Sequence, residues 1–343
     1  MSNWTSRIGA WIYPGSPACN ADEEYSDGRT TYILKPEYYQ VDTGGAGTIN
    51  LLTVAGAGCN AYSVANAASV KQYSSLQFMT VSCGTGTNMN ALCSNATKRT
   101  NAINTLLSTL NVIQFTGVEL DWEGFSGWTA PQYANFLIFI SELSTALHAS
   151  GYQLMVDGPP MIAAVDAAYG QNLFQFRYED MVPYCDYIVM LAYDYQYDYG
   201  AGEPVSPTTF VQACCDWMIA KVVNLNQIVI GMPSYGYHGL TGGYSITIDT
   251  YTESTAFTGF GTATRDADYE MEWTNAGTSY VYQDTSGLNS KRTVIEAKGI
   301  RHISVWHLGG NQWFTGTEPS NPSYSNTNLI DVASVTNLSS LTI

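Results

Sequence analysis

Eight short apolar runs, amphipathic stretches between them, and one strand that alternates acids with apolar residues predict an α/β chain closed into a (β/α)8 TIM barrel. A Thr-, Tyr- and Gly-rich stretch at about residues 236–298 predicts a small β-rich insertion between strands seven and eight. The rival architecture is an open doubly wound sheet. It would normally show a Gly-rich phosphate turn after its first strand, and Tyr13-Pro14-Gly15-Ser16 is not one.

Taken in order, the predicted strands are residues 7–13 (RIGAWIY), 48–54 (TINLLTV), 76–82 (LQFMTVS) and 117–123 (GVELDWE). They continue with residues 152–157 (YQLMVD), 187–193 (YIVMLAY), 228–232 (IVIGM) and 302–307 (HISVWH). Each is β-branched or apolar and bounded by turn formers. Apolar residues near a 3.6 period predict helices over 95–110, 132–149 and 210–223, with another returning near 290–298. Within the insertion, residues 244–248 and 279–283 alternate as short strands would. The barrel domain is expected over 1–314, and the polar stretch from 315 to 343 is expected to be a tail, a final helix or a linker.

The formal charge of -16 with only 13 Lys and Arg argues against binding a phosphate backbone, so no nucleic-acid partner is expected. No run is long and apolar enough to span a membrane. The start lacks a basic region followed by a long apolar one, so no secretory signal is visible there. Composition nevertheless suggests an extracellular or surface-associated protein, and a monomer is expected. Twenty-five Tyr and eight Trp exceed what a core needs, so some are expected to line a cleft where flat rings stack on sugars. Seven Cys and four His lack the spacing of a metal site. Cys83 and Cys93 flank a Gly/Thr/Asn-rich loop and are one conceivable disulfide pair.

The most informative segment is Gly117-Val118-Glu119-Leu120-Asp121-Trp122-Glu123. Side chains alternate along a strand, so the three acids share one face and Val118, Leu120 and Trp122 share the other. In a barrel the apolar set would face the helices and the acids would point inward, near the C-terminal mouth. Acids two residues apart lie about 6–7 Å from each other along the backbone, close enough for their side chains to converge. Like charges repel in a low dielectric, and keeping a proton relieves that cost. A carboxyl held protonated near neutral pH is the general acid that glycoside cleavage needs. The bland alternative is a solvated acidic edge strand, which the alternating Leu120 and Trp122 make hard to sustain.

Residues 116–123 (TGVELDWE) resemble the DGxDxDxE signature of glycoside hydrolase family 18, the chitinase-like family. Glu123 falls on the acid, Asp121 on the residue two before it and Gly117 on the glycine. Thr116 and Glu119 depart from the pattern, both standing where the family usually has aspartate. Four more segments resemble the family in the expected order: Ser82-Cys83-Gly84-Thr85, Met190-Leu191-Ala192-Tyr193-Asp194-Tyr195, Gly231-Met232-Pro233-Ser234-Tyr235-Gly236-Tyr237, and Ile303-Ser304-Val305-Trp306-His307-Leu308-Gly309-Gly310.

The resemblance implies substrate-assisted, retaining cleavage of β-1,4 bonds beside N-acetylglucosamine, in which the sugar's own acetamide oxygen attacks. Glu123 would protonate the leaving oxygen, and Asp121 would orient the acetamide, with Glu119 beneath it. Tyr193 would donate its hydroxyl to the acetamide carbonyl. Trp306 would floor the distorted sugar, with Asp194, Met190, Tyr235, Tyr13 and Asp157 as substrate-binding candidates and Tyr237 beside them. No metal or organic cofactor is implied. A peptidoglycan- or N-glycan-directed N-acetylglucosaminidase is the neighbouring alternative, since residues 303–310 look like the last strand of the spore-cortex branch. A catalytically silent sugar-binding module is the alternative of another class. One module of a larger surface or phage-borne machine is a third.

Overall fold

A computed structural model of the chain describes residues 3–15, 31–171, 173–317 and 319. The strands are β1 (Arg7–Ile12), β2 (Thr31–Val41), β3 (Ile49–Leu51), β4 (Ser74–Cys83), β5 (Gly117–Trp122), β6 (Gln153–Gly158), β7 (Tyr187–Leu191) and β8 (Ile228–Pro233). After them come β9 (Gly236–Leu240), β10 (Ile246–Asp249), β11 (Thr264–Arg265), β12 (Met271–Asn275), β13 (Thr278–Tyr282) and β14 (His302–Trp306). The main sheet runs β1-β14-β8-β7-β6-β5-β4-β2-β3, and β1 also pairs with β2. This is the (β/α)8 barrel that the sequence predicts, with β3 as an extra strand outside the ring.

The second barrel strand is not where the sequence suggested. Residues 49–51 form β3, which pairs antiparallel with β2, and the ring position belongs to Thr31–Val41. Pro36 removes a ladder donor from the middle of that strand, and Lys35 and Glu37 flank it, so its pattern does not read as a core strand. The register against β4 shifts between Glu37 and Tyr39. A bulge of this kind re-aims side chains.

The principal helices are α1 (Val64–Gln72), α2 (Gly86–Cys93), α3 (Ala96–Ile113), α4 (Ala130–Ala149), α5 (Thr208–Lys221) and α6 (Thr285–Ala297). The chain divides into two units, one made of Met1–Trp11, Pro160–Gln171 and Met190–Ser320, the other of Ile12–Pro159, Asn172–Val189 and Asn321–Ile343.

In the unit that carries β2 to β6, β4 and β6 flank β5 in parallel. Val118, Leu120 and Trp122 are buried on the face that meets α4, where Trp122 stacks on Phe139 at 5.2 Å and tilts against Phe136 at 5.6 Å. Helix α4 begins in a capping box between Thr129 and Gln132, and α3 is capped by Asn95. Cys83 and Cys93 are free, buried thiols, so the conceivable pairing between them does not form. Cys59 is disulfide-bonded.

In the other unit β14 joins β1 and β8 in parallel. Arg292 of α6 is fully buried, donates to the Ser6 carbonyl at 2.6 Å and hydroxyl at 2.8 Å, and lies over the rings of Trp4 and Phe314. Between β8 and α6 in the chain, β9 to β13 form an antiparallel sheet in the order β10-β9-β13-β12-β11. Its cross-strand pair Trp273 and Tyr280 stacks at 4.5 Å. Within the insertion, the Glu270 carboxylate accepts from the backbone N–H of Val205 at 2.7 Å and Ser206 at 2.8 Å, and pairs with Lys291 at 3.1 Å. The expected C-terminal tail lies outside the described residues, apart from 315–317 and 319.

Candidate active site

Four neighbouring strands send polar side chains to one face. Thr80 of β4 stands beside Glu119 of β5, which stands beside Met155 of β6. One step further along, Ser82 pairs with Asp121. The last registered pair between β5 and β6 is Leu120 with Val156, which puts Asp121 and Asp157 next in line. The inward row predicted from alternation therefore has a second carboxylate strand next to it.

Glu119 is fully buried and makes an ion pair with Lys35 of β2 at 2.6 Å, while the Thr80 hydroxyl donates to its other oxygen. Ser82 donates to Glu37 at 2.5 Å. Asp157 is 1% exposed and its carboxyl lies within hydrogen-bonding reach of Glu119, while one Asp121 oxygen has no hydrogen-bond partner. Burial first, then the negative charge of Glu123, Glu119 and Glu37, pushes the Asp121 carboxyl well above the usual carboxylate range, and Lys35 opposes that. Asp157 is pushed up in the same way, by burial and then by Glu119. Burial also raises Glu37, against the Ser82 hydrogen bond.

Glu123 follows the last residue of β5 and its side chain is exposed. Its backbone N–H donates to the Cys83 carbonyl at 2.7 Å and its carbonyl accepts from Trp128 Nε1 at 3.1 Å, so the main chain on which it stands is held. Gly124 then turns the chain at φ 73°, where a Cβ would meet the Gly84 carbonyl oxygen at 2.7 Å. Gly117, at the other end of the motif, lies so near β6 that a Cβ would stand 2.1 Å from the Gln153 carbonyl oxygen. Thr116, where the resembled signature has aspartate, accepts from the backbone N–H of Gln77 at 3.0 Å. Thr85 caps α2.

The second group of candidates belongs to the other unit. Asp194 follows Tyr193 just beyond β7 in a left-handed conformation, φ 69°. The Tyr235 hydroxyl donates to Asp194 Oδ1, and Gln196 approaches the same oxygen at 3.4 Å. Burial raises the Asp194 carboxyl, and the Tyr235 hydrogen bond works against it. Tyr235 is buried and meets the edges of both Tyr193, at 6.3 Å, and Trp306, at 5.1 Å. It fixes neighbouring candidates. Met190 is fully buried. Tyr237 is buried too, its hydroxyl donating to the Glu203 carbonyl and accepting from the Gly202 N–H. Tyr13, one residue past β1, is 39% exposed.

Sequence reasoning missed Lys35 and Glu37. The available signal was two charges of equal parity around Pro36 in an otherwise apolar, aromatic run. Among the described residues no cluster of three or more His, Cys, Asp or Glu side chains is placed to hold a metal ion, and no helix is long and apolar enough to cross a membrane.

Residues 41–311 match the model of glycosyl hydrolases family 18, which is most of the chain. The chain belongs to this family. It is 30% identical over 146 residues to the Bacillus subtilis (strain 168) protein named "Putative sporulation-specific glycosylase YdhD", an alignment covering 42% of this chain and 32% of that relative. The chain thus spans about a third of that relative's length. Family 18 neighbours share the fold. The chitinase from Chromobacterium violaceum ATCC 12472 superposes with a TM-score of 0.71 at 17% identity, covering 89% of this chain and 95% of that one. The Bacillus cereus spore cortex-lytic enzyme SleL gives 0.72 at 15% identity, covering 91% and 73%.

Proposed function

We propose that this family 18 glycosidase cleaves β-1,4 bonds beside N-acetylglucosamine in chitin or chitooligosaccharides by substrate-assisted, retaining catalysis. The observation that carries the reading is the carboxylate row of β5, with Glu119 neutralised at its base and Glu123 exposed at its end. Glu123 donates its proton to the glycosidic oxygen and later takes one from water. Asp121 orients the acetamide N–H and stabilises the charge that develops on the oxazolinium ring. Tyr193 donates to the acetamide carbonyl, with Asp194 and Tyr235 fixing that corner. Trp306 packs under the sugar, and Tyr13 and Met190 complete the binding surface. The protein acts outside the cell or at its surface as a monomer, its barrel over 1–314 being the catalytic domain.

A second reading, hydrolysis of peptidoglycan glycan strands, is favoured by the form of residues 303–310 and by the likenesses to SleL and YdhD. Product analysis on chitin oligosaccharides, peptidoglycan strands and N-glycoproteins separates the substrates. Release from peptidoglycan alone would remove the chitinase assignment. Glu123→Gln should lower turnover by about two to four orders of magnitude while oligosaccharide binding persists. Tight binding by wild type with no hydrolysis of any N-acetylated glycan would make this a sugar-binding module instead.

A further inference from the structure

Glu123 stands one residue past β5 with its side chain exposed, so the place of its carboxyl depends on how firmly the main chain beneath it is held. By composition the next residues are a poor scaffold. Gly124, Ser126 and Gly127 are exposed, and the two glycines have no side chain to pack. Phe125 and Trp128 are the buried members of residues 124–128. The segment closes as a short turn, with the Gly127 N–H on the Gly124 carbonyl at 2.9 Å and the Trp128 N–H on that of Phe125 at 3.2 Å. This turn brings the Trp128 indole back to the acid, whose backbone carbonyl accepts from Nε1 at 3.1 Å.

Trp128 is itself fixed from several directions. Its ring packs against Phe125 at 5.3 Å, Phe136 at 5.1 Å and Phe176 at 6.4 Å, and the residue after it, Thr129, caps α4. The start of α2 leaves it room: a Cβ on Gly86 would stand 2.9 Å from Trp128 Cδ1 and 3.5 Å from Nε1. A phenylalanine would fill much of the same aromatic nest. What it would lack is the N–H that reaches Glu123.

We infer that Trp128 is a positioning residue: its indole N–H anchors the peptide that carries Glu123 and so sets the reach of the Glu123 carboxyl to the glycosidic oxygen. The inference rests on the proposed reading of Glu123 as the proton donor. A general acid works only within hydrogen-bond reach of the oxygen it protonates, and a misplacement of about 1 Å costs up to about a hundredfold. The loss falls on the leaving group. A sugar hydroxyl departs only as it gains the proton, whereas a dinitrophenolate departs without one.

The test is a series of N-acetylated glycosides graded in leaving-group pKa, from a sugar to a dinitrophenyl group, with thermal unfolding as the folding control. On the sugar leaving group Trp128→Phe should cut kcat about ten- to a hundredfold with KM little changed, and the loss should shrink steadily towards the dinitrophenyl glycoside. Gly86→Ala, which crowds the indole but keeps its N–H, should show the same trend less steeply. A loss equal across the series in either variant means that Trp128 serves packing alone and overturns the inference. Hydrogen exchange reads the anchor without turnover. The Glu123 amide, which donates to the Cys83 carbonyl at 2.7 Å, should exchange about tenfold faster in Trp128→Phe. An unchanged exchange rate also overturns the inference. Absence of hydrolysis on every glycan would fail the functional reading alone, because exchange still reports on Trp128.

Discussion

Trp122 sits between the two acids that end the β5 row, yet its own side chain points away from them into α4. Truncating it to alanine strips a side chain that buries about 150–250 Å², about 4–6 kcal/mol at the usual area coefficient. The rings of Phe136 and Phe139 keep the site from collapsing, so a destabilisation of about 4 kcal/mol is expected. Trp122→Phe behaves differently. The indole N–H is buried without a hydrogen-bond partner, an arrangement that costs about 1–3 kcal/mol. Phenylalanine forfeits about 2 kcal/mol of apolar burial but abolishes that orphan donor, so the net change should stay within about 1 kcal/mol. Urea unfolding followed by tryptophan-independent circular dichroism measures both. If Trp122→Phe proves as damaging as Trp122→Ala, the unpaired N–H carries no cost and the packing account of this position is wrong.

Burial raises the Asp157 carboxyl in the fold well above its unfolded value of about 4, so the native state holds its proton to higher pH and stability falls as pH rises from there. Asp157→Asn should raise the melting temperature at pH 7, with the gap closing towards pH 4; equal gaps at both would count against burial as the cause. His302 and His307 have the opposite sign. Burial lowers each from 6.5 to about 4, so their contribution is full above pH 6.5 and is lost as pH falls towards 4, and His302→Gln should flatten melting temperature against pH across that window. Arg292→Lys should destabilise by about 2–4 kcal/mol, because an ammonium cannot reach both Ser6 oxygens and lie flat between Trp4 and Phe314; an unchanged urea midpoint would show that the fork geometry is idle.

The parts of the fold that were legible obey one period. β5 alternates cleanly because one face meets α4 and the other the interior, so Val118, Leu120 and Trp122 announced both the strand and its orientation. Helices α3 and α4 were legible because their buried residues recur at helical spacing behind Asn95 and Thr129 caps. β2 was not, since its inward side chains are a lysine and a glutamate whose partners come from other strands. Nothing local distinguishes a buried Lys35 from a solvated one. The same limit hid the contact of Asp157 with Glu119 and the anchoring role of Tyr235, both of which depend on neighbours far away in sequence. Residues 48–54 misled for a different reason: β3 is a real strand, but it lies outside the ring.

Glu270 bears on how such a barrel can be trimmed or grafted. The residue belongs to the inserted sheet, yet it supplies the acceptor for two main-chain donors at 205 and 206 and the counter-ion for Lys291. Excising the insertion between β8 and α6 would take the partner from three donors at once, on Val205, Ser206 and Lys291, all buried in the intact fold. A shortened version would have to carry an acid in from elsewhere or replace Lys291 and rebuild the loop, which makes the insertion a keystone rather than an ornament.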